Sequence, residues 1–154
     1  MRRVEERLGE LGLTLPSVAV TLGSYVPAVR SGALVFTSGQ LPVLDTELLA
    51  HGKVGADVTA EVASACARRC ALNALAAAST VCDLDDVVRV VRLTGYVASD
   101  PAFTSQPGVV NGASDLLVDV FGDAGKHARE ALGVAALPLD APVEISIVLE
   151  LAVR

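Results

Sequence analysis

Two side chains in the last quarter of the chain are of types suited to chemistry on a carboxylate. Arg129 lies in the stretch His127 to Pro138, and Glu144 lies in Pro142-Val143-Glu144-Ile145. A guanidinium is flat and permanently charged, and it matches a carboxylate with two parallel hydrogen bonds. A glutamate can hold a water molecule or move a proton. Arg129 stands just ahead of a short apolar segment that reads as a strand, and Glu144 falls in the first residues of the final strand. If those two strands are neighbours, the pair forms a small anion site with an acid/base beside it. Either residue alone is ordinary, because arginines beside strands are usually solvated or ion-paired and a glutamate on a polar strand face is usually just wet.

The elements that must position them follow from periodicity. The final strand is the clearest. Val143, Ile145, Ile147, Leu149, Leu151 and Val153 share one parity, and Glu144, Ser146, Glu150 and Arg154 share the other. That period of two gives one core face and places Glu144 on the face away from the helices. Val87 to Val97 is a strand rich in β-branched residues. A long helix starts at Asp57 or Thr59 and runs to about Ser79, with Val62, Cys66 and Cys70 on one line beside Ala63, Ala67, Ala74 and Leu75. A second helix begins near Pro107, carries Val109, Ala113, Leu116, Leu117, Val120 and Phe121 on its apolar face, and ends at Gly122 and Gly125.

Upstream, Val18 to Leu22 and Val26 to Arg30 read as extended around the turn Gly23-Ser24-Tyr25. Ser31-Gly32 is a hairpin turn signal, and Ala33 to Ser38 is a strand apolar on both parities. Gly39 to Gly55 reads as a long loop. Residues 1 to 12 intersperse charges with Val4, Leu8 and Leu11, which marks a short amphipathic helix. We therefore expect an N-terminal extension over residues 1–15 and a single domain over 16–154. The order strand, strand, helix, strand, helix, strand, strand describes an α+β domain with two helices on one face of a mixed sheet.

Composition narrows the class. Hydrophobic residues make up 52% of the 154, and only 19% are charged. A domain of this length has limited interior, so part of that apolar surface is expected between subunits, with the second sheet face packing on copies of itself. The net charge of −6 and the absence of a basic cluster count against nucleic-acid binding. No apolar run suits a membrane span, and the charged N-terminus lacks a signal-peptide core. Three cysteines without scaffold spacing fit reduced thiols in a cytoplasm.

Other signals carry less. Cys66 and Cys70 have no histidine to complete a metal site and read as a packed helix face. Ser38 has no triad partners. Gly52-Lys53-Val54-Gly55 lacks phosphate-loop spacing. His127, two residues from Arg129, reads as structural or solvated.

Taken as an ordered set, a string of short segments is specific. Gly23-Ser24-Tyr25-Val26-Pro27-Ala28-Val29, then Val35-Phe36-Thr37-Ser38-Gly39-Gln40-Leu41-Pro42, Val110-Asn111, Arg129, Val134-Ala135-Ala136-Leu137-Pro138 and Val143-Glu144-Ile145 resembles the Rid family of reactive intermediate deaminases. The family is also called YjgF and is often labelled L-PSP endoribonuclease. The resemblance runs from about Val20 to the C-terminus. It implies a chorismate-mutase-like fold and a homotrimer with sites in clefts between subunits. It also implies cofactor-free hydrolysis of enamine or imine intermediates to a 2-keto acid and ammonia. In that scheme Arg129, Glu144 and Tyr25 are catalytic, and Ser38, Gly39, Asn111 and Ala131 bind the substrate, a small carboxylate. No metal or cofactor is implied.

The chain departs from the archetypal deaminases at Ala131, where cysteine is common, and over Gly122 to Ala128. It departs again in the longer loop at Leu44 to Gly55 and in its N-terminal extension. A non-catalytic carboxylate-binding trimer is the rival reading, and a ribonuclease is the third.

Overall fold

The computed structural model describes residues 3–18, 21 and 23–153. A five-stranded mixed sheet carries two long helices on one face. In chain order the elements are α1 (Arg3–Glu10), β1 (Ala28–Ser31), β2 (Leu34–Thr37), β3 (Val43–Leu44), β4 (Glu47–Leu48), α2 (Ala60–Ala78), β5 (Val87–Ala98), α3 (Gln106–Phe121), β6 (Ala128–Val134) and β7 (Val143–Leu151). The large sheet runs β1-β2-β7-β5-β6, and β3 and β4 form a separate small hairpin. Only β5 and β6 are parallel, joined by the α3 crossover, and the remaining pairs of the large sheet are antiparallel.

The expected α+β class holds. The strand reading of Val18–Leu22 falls largely on residues 19, 20 and 22, outside the described residues. Gly39 to Gly55 is more ordered than a plain loop. It holds the β3–β4 hairpin, and Gln40 bridges to Ile145 beside β7.

Helix α2 starts where Thr59 caps it, its hydroxyl accepting from the Val62 N–H at 3.2 Å. Its alanines let it lie close to the sheet, and Ala63, Cys66, Ala67, Cys70, Ala74 and Leu75 are all fully buried. Val62 does not join them. It is 45% exposed, because the buried stripe runs through Ala63 instead. Helix α3 packs against α2 at Gly112, where a Cβ would lie 2.0 Å from the Ser64 carbonyl oxygen. It packs against the sheet at Gly95, whose ideal Cβ would sit 2.5 Å from Val110. Between the layers Leu75, Leu93, Leu116, Leu117 and Ile145 are buried completely. Each such side chain stabilises the fold by about 1.5–3 kcal/mol.

The N-terminal helix is bound to this core. Val4 and Leu8 are buried in it, and the Asp85 carboxylate accepts from the backbone N–H groups of Arg3 and Val4, both at 2.9 Å. Asp85 thereby caps a helix some 80 residues away in sequence.

Candidate functional site

The arginine and the glutamate do not meet within one subunit. Arg129 lies inside β6 rather than ahead of a strand, and β5 intervenes between β6 and β7. Arg129 is opposite Leu93 on β5, whereas Glu144 is opposite Tyr96, three residues further along. Two strand spacings and three residues of rise separate the two Cα atoms by about 14 Å. They also face opposite ways. Leu93 is buried under the helices, so its cross-strand neighbour Arg129 shares that face. Glu144 alternates with the buried Val143 and Ile145 and so stands on the other face. The condition for a meeting, that the two strands be neighbours, is not met, because the α3 crossover makes β6 parallel to β5 at the sheet edge, leaving β7 to pair between β2 and β5.

Two half-sites result. The first is built on β6 and α3. Arg129 Nη1 donates to Asn111 Oδ1 at 2.7 Å and to Ser114 Oγ at 3.0 Å, and Nη2 donates to the Pro107 carbonyl at 3.3 Å. Pro107, Asn111 and Ser114 follow a spacing of four and then three residues, a single stripe on α3. Three of the five guanidinium N–H groups are thus engaged. The other two, Nε–H among them, have no acceptor among the described residues, and two is the number a bidentate carboxylate uses. No carboxylate of the described residues pairs with Arg129. Ala131, opposite Gly95, shares the Arg129 face and packs against the core. Since β6 is an edge strand, Arg129 and Ala131 stand at the border of the sheet.

The second half-site is built on the loop after β2 and the start of β7. Glu144 lies over the backbone of Gly39 so closely that a Cβ there would come within 2.6 Å of Glu144 Oε2. Glycine is therefore a packing requirement of the glutamate. Among the described residues nothing donates to the Glu144 carboxylate, and burial raises its pKa above the ordinary carboxylate range. Tyr25, Gly39, Gln40, Leu41, Val43 and Leu139 line an open cavity of about 310 Å³ beside it. Tyr25 is 52% exposed. Ser38 is close by, but its hydroxyl donates to the Val26 carbonyl at 2.7 Å and closes the loop instead of pointing at the cavity.

The link from Arg129 through Ser114 to His127 is not legible in the sequence. Ser114 was detectable as the next position on the Pro107–Asn111 stripe. His127 was noticed, but no spacing rule links it to a serine on another element. Cys70 is buried among apolar groups, and burial, with Cys66 and Glu144 nearby, pushes its thiol pKa well up, so it is not a poised nucleophile.

Known proteins share this arrangement of elements. Residues 5–151 match the family model described as "YjgF/chorismate mutase-like, putative endoribonuclease". The chain belongs to the YjgF family. Protein TCP17 of Trypanosoma cruzi is 45% identical over 151 residues, covering 97% of this chain and 94% of that protein. The crystal structure of Atu1372 from Agrobacterium tumefaciens, a protein of unknown function, is 45% identical, with a TM-score of 0.89, over 97% of this chain and 93% of that one. A "putative endoribonuclease" from Shewanella oneidensis MR-1 is 37% identical, with a TM-score of 0.93, over 96% and 99%. YjgF membership accounts for the mixed sheet with helices on one face. Among the described residues no helix is long and apolar enough to cross a membrane.

Proposed function

We propose that the protein hydrolyses 2-imino acids to 2-keto acids and ammonia at a site completed between two copies of the chain. The observation that carries this reading is the guanidinium of Arg129. It is fixed by three helix contacts, unpaired with any carboxylate among the described residues, and retains two N–H groups for a substrate carboxylate. Glu144 supplies the acid/base. Its carboxylate is half-buried, has a raised pKa and lies against Gly39, which lines a cavity of substrate size.

The two halves lie on opposite faces of one subunit, so the Arg129 half of one copy must meet the Glu144 half of another. The sheet face that carries Glu144 also carries exposed Val29 and Phe36, with Leu132 nearby on the β6 edge, and a face of that kind suits burial against a second copy. A homotrimer, as YjgF membership implies, closes such a ring.

In the reaction the substrate carboxylate binds the Nε/Nη2 side of Arg129, which aligns the carbon–nitrogen double bond. Water attacks the carbon of the protonated imine as Glu144 accepts its proton. The resulting neutral carbinolamine receives that proton on nitrogen, which leaves Glu144 ionised again. The carbon–nitrogen bond then breaks as the carbinolamine hydroxyl gives its proton to Glu144, so that ammonia leaves and the keto group forms. Tyr25 at the cavity rim borders the path of the water, Gly39 holds the glutamate's position and Asn111 holds the arginine's. Ala131 leaves room where a cysteine would narrow the site. A phosphodiester substrate fits less well, because the chain carries a net charge of −6.

The test is ammonia release from imines generated in place by an amino-acid oxidase, across several parent amino acids. Wild type should accelerate release, and Arg129→Ala should not. If neither protein accelerates it while 2-keto acids raise the wild-type melting temperature, the site is a binding module and the hydrolase reading is wrong.

A further inference from the structure

The Arg129 guanidinium does not stand alone on its acceptors. Ser114 Oγ lies 3.0 Å from Arg129 Nη1 and 2.9 Å from His127 Nε2, and His127 Nδ1 lies 2.6 Å from the Gly125 carbonyl oxygen. A carbonyl only accepts, so Nδ1 carries the proton and donates to Gly125. In the neutral ring Nε2 is then an acceptor, and the hydrogen it accepts is that of the Ser114 hydroxyl. With its hydrogen committed to His127, the hydroxyl turns a lone pair toward Arg129. Each bond in the chain fixes the direction of the next.

Gly125 anchors the far end. It is buried, and a Cβ there would lie 2.2 Å from the Leu117 carbonyl oxygen, so the turn that presents its carbonyl is pressed onto α3. His127 lies within Gly122 to Ala128, the part of the chain that departs from the deaminase pattern.

We infer that Ser114 and His127 are positioning residues, a hydrogen-bond relay from Gly125 that locks the hydroxyl rotor of Ser114 and thereby the guanidinium of Arg129 for its carboxylate ligand. The inference rests on the proposed imine chemistry only for its kinetic readout. Without His127 the hydroxyl is free to rotate, and its hydrogen can face Nη1. Without Ser114 one Nη1–H loses its acceptor. Either change loosens the carboxylate clamp and leaves Glu144 untouched.

Three variants separate this from plain packing. Glutamine places an amide oxygen near the position of Nε2, so His127→Gln preserves the acceptor for Ser114. Asparagine places its amide near Nδ1, so His127→Asn preserves only the tether to Gly125. Ser114→Ala removes the link. Loss of one half-exposed bond to a charged group should raise KM about tenfold, with kcat within about twofold, in Ser114→Ala and His127→Asn. His127→Gln should stay within about twofold of wild type on both. Equal behaviour of the Gln and Asn variants, or an unchanged KM in Ser114→Ala, would overturn the relay.

A second readout needs no turnover. Long-range proton–nitrogen correlation on the wild-type protein at pH 8 should show His127 in the Nδ1–H tautomer. An Nε2–H tautomer would overturn the relay, since Nε2 would then donate to Ser114. A wild type without imine hydrolysis but with the Nδ1–H tautomer would sink the proposed activity and support the relay.

Discussion

Gly39→Ala should disable the site and leave the fold intact. An ideal Cβ at Gly39 would lie 2.6 Å from Glu144 Oε2, 2.7 Å from Cδ and 3.0 Å from Cγ, whereas ordinary van der Waals contact begins near 3.4 Å. The methyl group meets the end of a flexible side chain, so Glu144 swings away by roughly 1 Å, and a displacement of that size can cost about a hundredfold in rate. That is about 2.7 kcal/mol of transition-state stabilisation. The fold should pay little. Gly39 is exposed and is not among the glycines with positive φ, so alanine can take the same backbone. Reduced freedom of the unfolded chain should offset the local crowding, leaving stability within about 1 kcal/mol. Steady-state ammonia release and urea denaturation measure the two quantities on the same preparation. A wild-type kcat/KM in a folded Gly39→Ala protein would refute the claim that Glu144 acts from its observed position over Gly39. A large loss of stability would show instead that the loop, not the carboxylate, had failed.

Three further outcomes follow from the packing and the charges. Burial favours the neutral form of Glu144, so its native pKa lies above the unfolded one and stability falls as pH rises from the ordinary carboxylate range through that higher value. Glu144→Gln should therefore raise the melting temperature at pH 7 and not at pH 3, while the acid limb of wild-type activity should lie above the ordinary carboxylate range. An equal gain at pH 3 would remove burial as the cause. Gly112→Ala drives a methyl group into the Ser64 carbonyl and should cost about 1–3 kcal/mol in urea denaturation, since neither helix backbone can yield locally. Asp85→Ala removes the acceptor for two N–H groups of α1 and should cost about 1–2 kcal/mol by the same assay, and an unchanged midpoint would mean that α1 does not need its cap.

Periodicity made the elements of this protein readable, and topology hid the site. The alternation from Val143 to Leu151 fixed both the core face of β7 and the outward direction of Glu144, because a strand's side chains alternate whatever its neighbours are. Thr59 and Pro107 marked helix starts because their local chemistry does not depend on tertiary context. Strand order is a different matter. Nothing local in Ala128 to Val134 says that it pairs with β5 rather than β7, so whether Arg129 and Glu144 stand on neighbouring strands was not legible in the sequence. Tertiary contacts also decide the smaller features. Ser38 read as an anion donor, yet its hydroxyl closes onto Val26 across the loop. His127 read as structural or solvated, and the ring's contact with a serine 13 residues earlier decides for the structural role.

The measurement that tests the account most directly is complementation by subunit mixing. Arg129→Ala and Glu144→Gln proteins, each inactive alone, are mixed, unfolded together and refolded. If each site draws its arginine from one copy and its glutamate from the next, random mixing in a ring restores about a quarter of wild-type ammonia release. Activity no higher than the sum of the separately refolded variants would contradict a composite site and, with it, the proposed mechanism.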